Sequence, residues 1–284
     1  MVPVVPALSH PDDARLIDLW LSLRTSPHSR RAYRADIDRF RRDLPQPLAS
    51  IRLADLADWA ARVDRQASAP ATRNRAVAAV KSLFSFAHRT GYLPFNPAAA
   101  LPARPRRDPL AQRILSEAEL ARLLASAPPG RDAVLLRLLY ASGARVSELA
   151  RLSWTEVEPR GDAGQITLYG KGGRTRHVLL SPSAWAALES LRPPAAVGPV
   201  FRSRRGGPLD VSQIRRIVYA AARRAGLGRP VSPHWMRHAH ASHALDHGAP
   251  IHLVQQTLGH STIATTGRYL HARPADSSSR YLPG

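Results

Sequence analysis

Residues 233–269 read PHWMRHAHASHALDHGAPIHLVQQTLGHSTIATTGRY. Pro233 suits the opening of a helix, which the spacing carries over about 235–247. Further helices are expected near 250–258 and 261–271, with Leu258-Gly259 as a stop and Ser261 as the next cap. The stretch is therefore three short helices with polar side chains at their joints. His234 and Arg237 share one face near a helix N-terminus, the end that favours anions. His260 falls between helices, and Tyr269 lies on the last one. Each residue also has a plain reading. His234 can cap, Arg237 can be a solvated surface group, and a lone helical tyrosine is usually a core or rim residue.

Upstream, residues 131–142 form an apolar helix (Val134, Leu135, Leu138, Leu139) that stops at Gly143. A second helix is expected to start near Val146. Arg145, in Gly143-Ala144-Arg145-Val146-Ser147-Glu148-Leu149, would then lie beside free backbone N–H groups, which suits a phosphate. The plain alternative is a surface arginine paired with Glu148. Gln165–Tyr169 and Arg176–Leu180 read as short strands, joined as a hairpin by Gly170-Lys171-Gly172-Gly173. The glycines allow Lys171 a close approach to a ligand, although the P-loop spacing is absent. An ordinary turn lysine is the alternative there. Ser116-Glu117-Ala118-Glu119 is a capping box that opens this half, and helices are also expected near 182–191 and 210–225.

The first third is helical. Leu16, Leu19, Trp20 and Leu23 share a helical spacing, followed by Tyr33, Ile37 and Phe40 after Pro27. A short helix over 52–65 and a longer one over 70–90 complete a four-helix bundle, with Val77, Val80, Leu83, Phe84 and Ala87 inward and Gly91 as a cap. Arg30, Arg31, Arg34, Arg73 and Arg75 fall on its polar faces and are candidate DNA contacts. Pro94, Pro97, Pro102, Pro105 and Pro109 then break the chain, and Arg104, Arg106 and Arg107 make the break basic. Residues 96–113 read as an extended linker able to cross a DNA backbone. The expected domains are 1–95 and 114–284, with no internal repeat.

The 284 residues carry 41 Lys+Arg against 21 Asp+Glu, a net charge of +20. That length suggests two cores, and that charge a polyanionic partner such as DNA. A genome that inflates arginine is the plain alternative. Both halves share the excess, with 18 basic and 10 acidic residues in 1–110 and 23 and 11 in 111–284. Only Lys81 and Lys171 are lysines, the one kind of these cations able to give up a proton near neutral pH. The absence of cysteine excludes disulfides, thiolate nucleophiles and cysteine-bound zinc. No apolar run is long enough to span a membrane and residues 1–10 carry no secretory signal, so a cytoplasmic, nucleoid-associated protein is expected. His240, His243 and His247 share a helical face that could hold zinc. The lack of a His-Glu-x-x-His motif, and Asp246 as the one nearby carboxylate, argue against it. No metal or cofactor is expected.

In order, the chain offers Gly-Ala-Arg-x-Ser-Glu-Leu at 143–149, Gly-Lys-Gly-Gly-Arg at 170–174, His-x-x-Arg-His at 234–238, Leu-Gly-His at 258–260 and Thr-Thr-x-x-Tyr at 265–269. That series resembles the tyrosine recombinase or phage integrase family, most closely its Xer-like members, and is densest over residues 140–272. The resemblance implies a mainly α fold with a small β-sheet hairpin. An N-terminal four-helix SAM-like bundle would bind core DNA, and a C-terminal α+β domain would be catalytic. It further implies that Arg145 and Arg237 grip the scissile phosphate and that Lys171 protonates the departing 5′ oxygen. His234 would serve acid–base steps, His260 would hydrogen-bond the phosphate, and Tyr269 would form a 3′-phosphotyrosyl bond.

The chemistry is consistent with those roles. A phenol, with a pKa of about 10, is a poor nucleophile until it loses its proton. A phosphodiester anion repels an attacking oxyanion, so two guanidiniums are apt as fixed counter-charges. The covalent link stores the broken bond, so rejoining needs neither ATP nor metal. The expectation is a site-specific recombinase on double-stranded DNA, monomeric when free and a homo- or hetero-tetramer on DNA. A type IB topoisomerase-like nicking–closing enzyme and a non-catalytic DNA-binding relative are the alternatives. Arg202, Arg204 and Arg205 in a glycine-rich loop, and Arg215, Arg216, Arg223 and Arg224 on the 210–225 helix, are further candidate DNA contacts. The chain departs from the family pattern at Met236, where Leu is usual, at His240 and His243, and in a short tail containing Pro274 and Ser277-Ser278-Ser279. Tyr281 in that Ser-rich tail is a rival nucleophile, but such a tail cannot hold it in line for attack.

Overall fold

A computed structural model describes residues 12–65, 70–102, 110–170 and 173–270. The chain divides into two compact units, Met1–Arg107 and Asp108–Gly284.

The first unit holds four helices, α1 (Asp13–Ser22), α2 (Pro27–Asp43), α3 (Leu53–Arg65) and α4 (Pro70–Arg89). Asp12 caps α1 by accepting from the Ala14 amide. Ser26 caps α2, which carries Pro27 in its first turn. Trp20, Ile37, Phe40, Leu56, Trp59, Val80, Leu83 and Phe84 are fully buried between the helices. Phe40 packs edge-on against both Trp59 and Phe84. The inward stripe of α1 differs from the expected one. Leu16, Ile17, Trp20 and Leu21 are buried, while Leu19 is 52% and Leu23 63% exposed.

Several bundle arginines expected to face DNA are engaged within the unit. Arg75 forks onto the buried carboxylate of Asp36 through Nε at 2.7 Å and Nη2 at 3.0 Å. Arg73 lies 3.1 Å from Asp64, and Arg34 pairs with Asp18. Arg30 donates to the Arg24 carbonyl, and Arg31 is exposed. The expected linker is also shorter at both ends. Ala98 and Leu101 are buried in the first core, whereas Leu110 and Ile114 are buried in the second unit around a 3-10 turn, Ala111–Arg113. The apolar residues between the prolines decide this, because they have cores to enter. Arg104, Arg106 and Arg107 lie outside the described residues.

The second unit opens with α5 (Glu117–Ala125), capped by the expected reciprocal Ser116–Glu119 box. It continues through α6 (Arg131–Ala141) and the single turn α7 (Val146–Leu149) into three strands, β1 (Val157–Arg160), β2 (Ala163–Tyr169) and β3 (Thr175–Leu180). The sheet is antiparallel in the order β1-β2-β3, with Val157 opposite Ile166 and Tyr169 opposite Thr175. The short edge strand β1 was not expected from sequence. Only Val157 of its four residues is buried, and Pro159 is tolerated at an edge. Helices α8 (Pro182–Glu189), α9 (Val211–Arg224), α10 (Pro233–Asp246), α11 (Ile251–Leu258) and α12 (Ile263–Gly267) complete the unit.

Leu135, Leu139, Leu149, Ile166, Leu188, Ile214, Val218, Met236 and Ala239 form the centre of its core. A smaller cluster joins Leu110, Ile114, Ala241, Val254, Leu258 and Tyr269. The last helix is shorter than the 261–271 expected, and Tyr269 lies just beyond it, its amide bonded to the Thr266 carbonyl. Gly267 at the end of α12 is a weak helix former. No helix among the described residues is long and apolar enough to cross a membrane.

Candidate active site

Helix α6 ends at Ala141, and Gly143, with a φ of +56°, turns the chain into the Arg145 segment. Arg145 precedes α7, and Glu148 reaches back to its backbone N–H at 2.6 Å. The same carboxylate accepts from Arg145 Nη1 at 2.9 Å. On its other side it takes a bidentate fork from Arg176 of β3, at 2.8 Å and 2.7 Å. Glu148 is buried. Burial alone would raise its pKa, but the Arg176 and Arg145 contacts hold it below the ordinary carboxylate value.

The second anchor is the end of α11. Gly259 adopts the left-handed conformation, φ 64° and ψ 44°. The His260 amide bonds to the Gln255 carbonyl and the Gly259 amide to the Gln256 carbonyl, closing a Schellman turn. The next three carbonyls face arginines. Thr257 O accepts from Arg176 Nε at 2.7 Å, and Leu258 O from Arg237 Nη2 at 2.6 Å. Gly259 O lies 3.5 Å from Arg145 Nη2, a long contact. Arg237, from the first turns of α10, also donates to Gly143 O at 2.5 Å and is only 5% exposed. Burial, then the neighbouring Arg145 and Arg176, lower its pKa to about 10, so it stays a cation at neutral pH.

Histidines surround Tyr269. The ring is 5% exposed, and its hydroxyl shares a 2.8 Å hydrogen bond with His238 Nδ1. His260 stacks parallel to it at 6.4 Å between centroids, and its Nδ1 bonds to Thr266 Oγ1 at 2.9 Å. Burial, then Arg237 and Arg145, push the His260 pKa down to about 4. Burial, then His234 and Arg237, do the same to His238, so both imidazoles are neutral at pH 7. His234 lies at the surface, one turn before His238, with ring centroids 6.5 Å apart. Desolvation and then Arg237, Arg215 and Arg145 lower its pKa. Its ring keeps an open face to solvent, so the three cations are the firmer cause.

Arg145, Arg176, Gln255, Gly259 and His260 border a cleft of about 880 Å³ beside the β2–β3 hairpin. The structure thus gathers Arg145, Arg237, His260, Tyr269 and His234 from four separate stretches. Lys171 and Gly172, which the chain places between β2 and β3, lie outside the described residues, as does Tyr281. The flanking Gly170 amide bonds to the Arg174 carbonyl at 2.7 Å. The histidines considered for zinc are bonded to protein groups. His240 Nδ1 lies 2.8 Å from Tyr140 O, His243 bridges the Tyr140 hydroxyl and Leu115 O, and His247 pairs with Glu117.

Three residues of this constellation were missed from sequence. Glu148 figured only as a surface partner, yet it is the central acceptor. Arg176 was only part of a strand. It alternates with Val178 and Leu180, so an inward-facing cation was legible there. His238 lies four residues after His234 and so on the same helical face. Among the other candidate DNA contacts, Arg204, Arg205, Arg216 and Arg224 border a separate basic cleft of about 700 Å³, together with Arg131. Arg202 donates to Val197 O and Arg224 to Ser126 O. Arg215 approaches His234 from α9, and Arg223 is exposed.

The sequence pattern of the phage integrase family matches residues 113–276, and that of the phage integrase N-terminal SAM-like domain matches residues 16–91. The chain belongs to the phage integrase family. It is 34% identical over 269 residues to the tyrosine recombinase XerC of Xanthomonas campestris pv. campestris, covering 90% of this chain and 82% of the relative. It is also 34% identical over 272 residues to the tyrosine recombinase XerD of Neisseria meningitidis serogroup A, covering 91% and 92%. Among solved structures, its fold is similar to a lambda integrase dimer bound to a COC' core site, with TM-score 0.77, 20% identity and coverage of 93% and 95%. It is equally similar to the XerH site-specific recombinase bound to a palindromic difH substrate, with TM-score 0.77, 19% identity and coverage of 96% and 84%.

Proposed function

We propose that this chain is a site-specific recombinase of the Xer kind, which breaks and rejoins double-stranded DNA through a 3′-phosphotyrosyl link to Tyr269. The observation that carries the reading is the convergence of Arg145 and Arg237 on one helix end beside the Tyr269–His260 stack. The names of the two sequence relatives, both tyrosine recombinases, favour it over a solitary nicking–closing enzyme.

In this reading the Tyr269 oxygen attacks the scissile phosphorus and passes its proton to a base, the step that His234 serves. The P–O bond to the 5′ carbon breaks, and Lys171 protonates the departing oxygen. The reverse steps, with a new 5′ hydroxyl as nucleophile, rejoin the strand. Arg145 and Arg237 hold the non-bridging oxygens, where a preorganised donor contributes roughly 3–4 kcal/mol to the transition state. His260 hydrogen-bonds the phosphate, and His234 serves the acid–base steps. No step calls for a metal or a nucleotide. Tyr269 is packed against Leu110, Ile114 and Leu258, so its ring must leave that packing to attack in line. The remaining basic residues of both units, including Arg31, Arg204, Arg205, Arg215, Arg216 and Arg223, bind the duplex. The protein acts as a tetramer assembled on chromosomal DNA and is monomeric when free.

Covalent trapping tests the proposal. Wild-type protein and Tyr269→Phe are incubated with labelled nicked duplexes and run on a denaturing gel. A protein–DNA adduct that vanishes in the variant supports the reading. Tight DNA binding with no adduct from wild type on any duplex turns it to the non-catalytic alternative.

A further inference from the structure

Glu148 is one buried carboxylate between two guanidiniums. Arg176 takes both of its oxygens at 2.7 Å and 2.8 Å, and its Nε is engaged by Thr257 O. Every nitrogen of Arg176 therefore has a protein partner. Arg145 reaches Glu148 through one side-chain nitrogen at 2.9 Å and, among the described residues, leaves Nη2 with only the 3.5 Å contact to Gly259 O. The two arginines differ in what they can offer a ligand, although both border the cleft.

We propose that Arg176 is a positioning residue that takes up the charge of Glu148, so that Arg145 keeps a full positive charge and a free N–H for the scissile phosphate. The inference rests on the recombinase reading for the identity of the ligand, but its charge argument concerns the three side chains alone. A bidentate guanidinium–carboxylate fork is among the strongest polar contacts available to side chains. Without it, the buried carboxylate would turn to Arg145, the other cation it already contacts, and draw it out of the cleft. Arg176 also ties β3, and so the hairpin that carries Lys171, to the end of α11. Gly259 makes room for this: a Cβ there would lie 3.1 Å from Arg176 Cδ.

Four forms of the full chain test it: wild type, Arg176→Lys, Arg176→Met and Arg176→Met combined with Glu148→Gln. Single-turnover cleavage of a nicked duplex should slow by about 10- to 100-fold in Arg176→Met, the size expected for weakening one charged hydrogen bond in the transition state. Duplex affinity should stay within about threefold, since the many other phosphate contacts are untouched. Arg176→Lys, a point charge that cannot fork, should fall between. Adding Glu148→Gln should recover at least about tenfold of the loss, because the uncompensated charge is gone. The affinity for inorganic phosphate, followed by 31P NMR, should rank the four forms in the same order and does not depend on cleavage. A double variant no better than Arg176→Met in both measurements overturns the proposal, as does an Arg176→Met with wild-type values. Circular dichroism checks folding, and Arg176→Lys keeps the test decisive if Met does not fold. Failure of the wild type to form an adduct would instead sink the recombinase reading, with the phosphate series still deciding the role of Arg176.

Discussion

Replacing Gly143 by alanine should destabilise the second unit and misaim Arg237, and the size can be worked from the structure. Gly143 has φ +56°, where an L side chain costs roughly 1–2 kcal/mol. A Cβ there would also lie 2.8 Å from His240 Cδ2 and 2.8 Å from Leu258 Cδ2. Neither neighbour is a loose end. His240 is fixed by its 2.8 Å bond to Tyr140 O, and Leu258 packs with Tyr269. Overpacking of this kind costs roughly 1–3 kcal/mol more. Gly226 supplies the control, because its φ is +67° but no atom lies within 4 Å of the added Cβ. Gly226→Ala should therefore show the backbone cost alone, about 1–2 kcal/mol, and Gly143→Ala about 2–5 kcal/mol. Hydrogen–deuterium exchange of peptides from 233–246 reads the local opening of α10 in both variants. Gly143→Ala should also cleave DNA more slowly, since Gly143 O holds Arg237 Nη1. Equal effects of the two substitutions on α10 would refute the steric part of the reasoning.

Three further outcomes are expected. The pKa values of His238, His240 and His260 lie near 4, below the ordinary 6.5, so the unfolded chain binds more protons between those values. Unfolding free energy from urea titrations should therefore rise from about pH 4 to about 6.5, and be lost as pH falls through that window; a slope unchanged by His240→Asn would count against it. DNA affinity should fall steeply with salt, with a slope of about −0.9 per phosphate contact, and a flat dependence would remove the extended basic footprint. Arg75→Met should destabilise the first unit by about 1–2 kcal/mol, the buried-pair penalty discounted because Arg75 is partly exposed. It should leave the salt slope unchanged, whereas Arg31→Met should reduce it; a reduced slope in Arg75→Met would restore Arg75 as a phosphate contact.

The parts of this molecule legible in the sequence are those set by local rules. The Ser116–Glu119 box, the Pro27 and Pro233 helix openings and the Gly259 stop all rest on residues within one turn of each other. The order of five short motifs told more about the candidate site than any one of them, because each alone has a commoner plain reading. What escaped the sequence depends on partners far along the chain. Arg75 reads as a solvated cation until Asp36, 39 residues earlier, is brought to it by the packing of α2 on α4. Arg176 and Glu148 are 28 residues apart and meet only because β2 packs beside α7 and β3 pairs with β2. His238 looked like one of a row of helical histidines, and its bond to Tyr269 spans 31 residues. The length of α12 escaped for the opposite reason, since Thr and Gly near its end hold a helix weakly.

How like charges are kept together in this site follows from the same geometry. Arg145, Arg176 and Arg237 approach one point, and among the described residues Glu148 is the one acidic group between them. A helix leaves its last carbonyls without intrahelical donors and carries the negative end of its dipole there. The Schellman turn at Gly259 uses the carbonyls of Gln255 and Gln256, which leaves those of Thr257, Leu258 and Gly259 facing outward in succession. Each meets a different arginine. The guanidiniums therefore complete the cap of α11, and the cap supplies the partial negative charge that lets these cations converge, with Arg237 buried among them. Folding of this end and preorganisation for an anion are one arrangement. A substitution that spoils the cap, such as Gly259→Ala with its 3.1 Å approach to Arg176, should therefore weaken phosphate binding even though Gly259 contributes no charge.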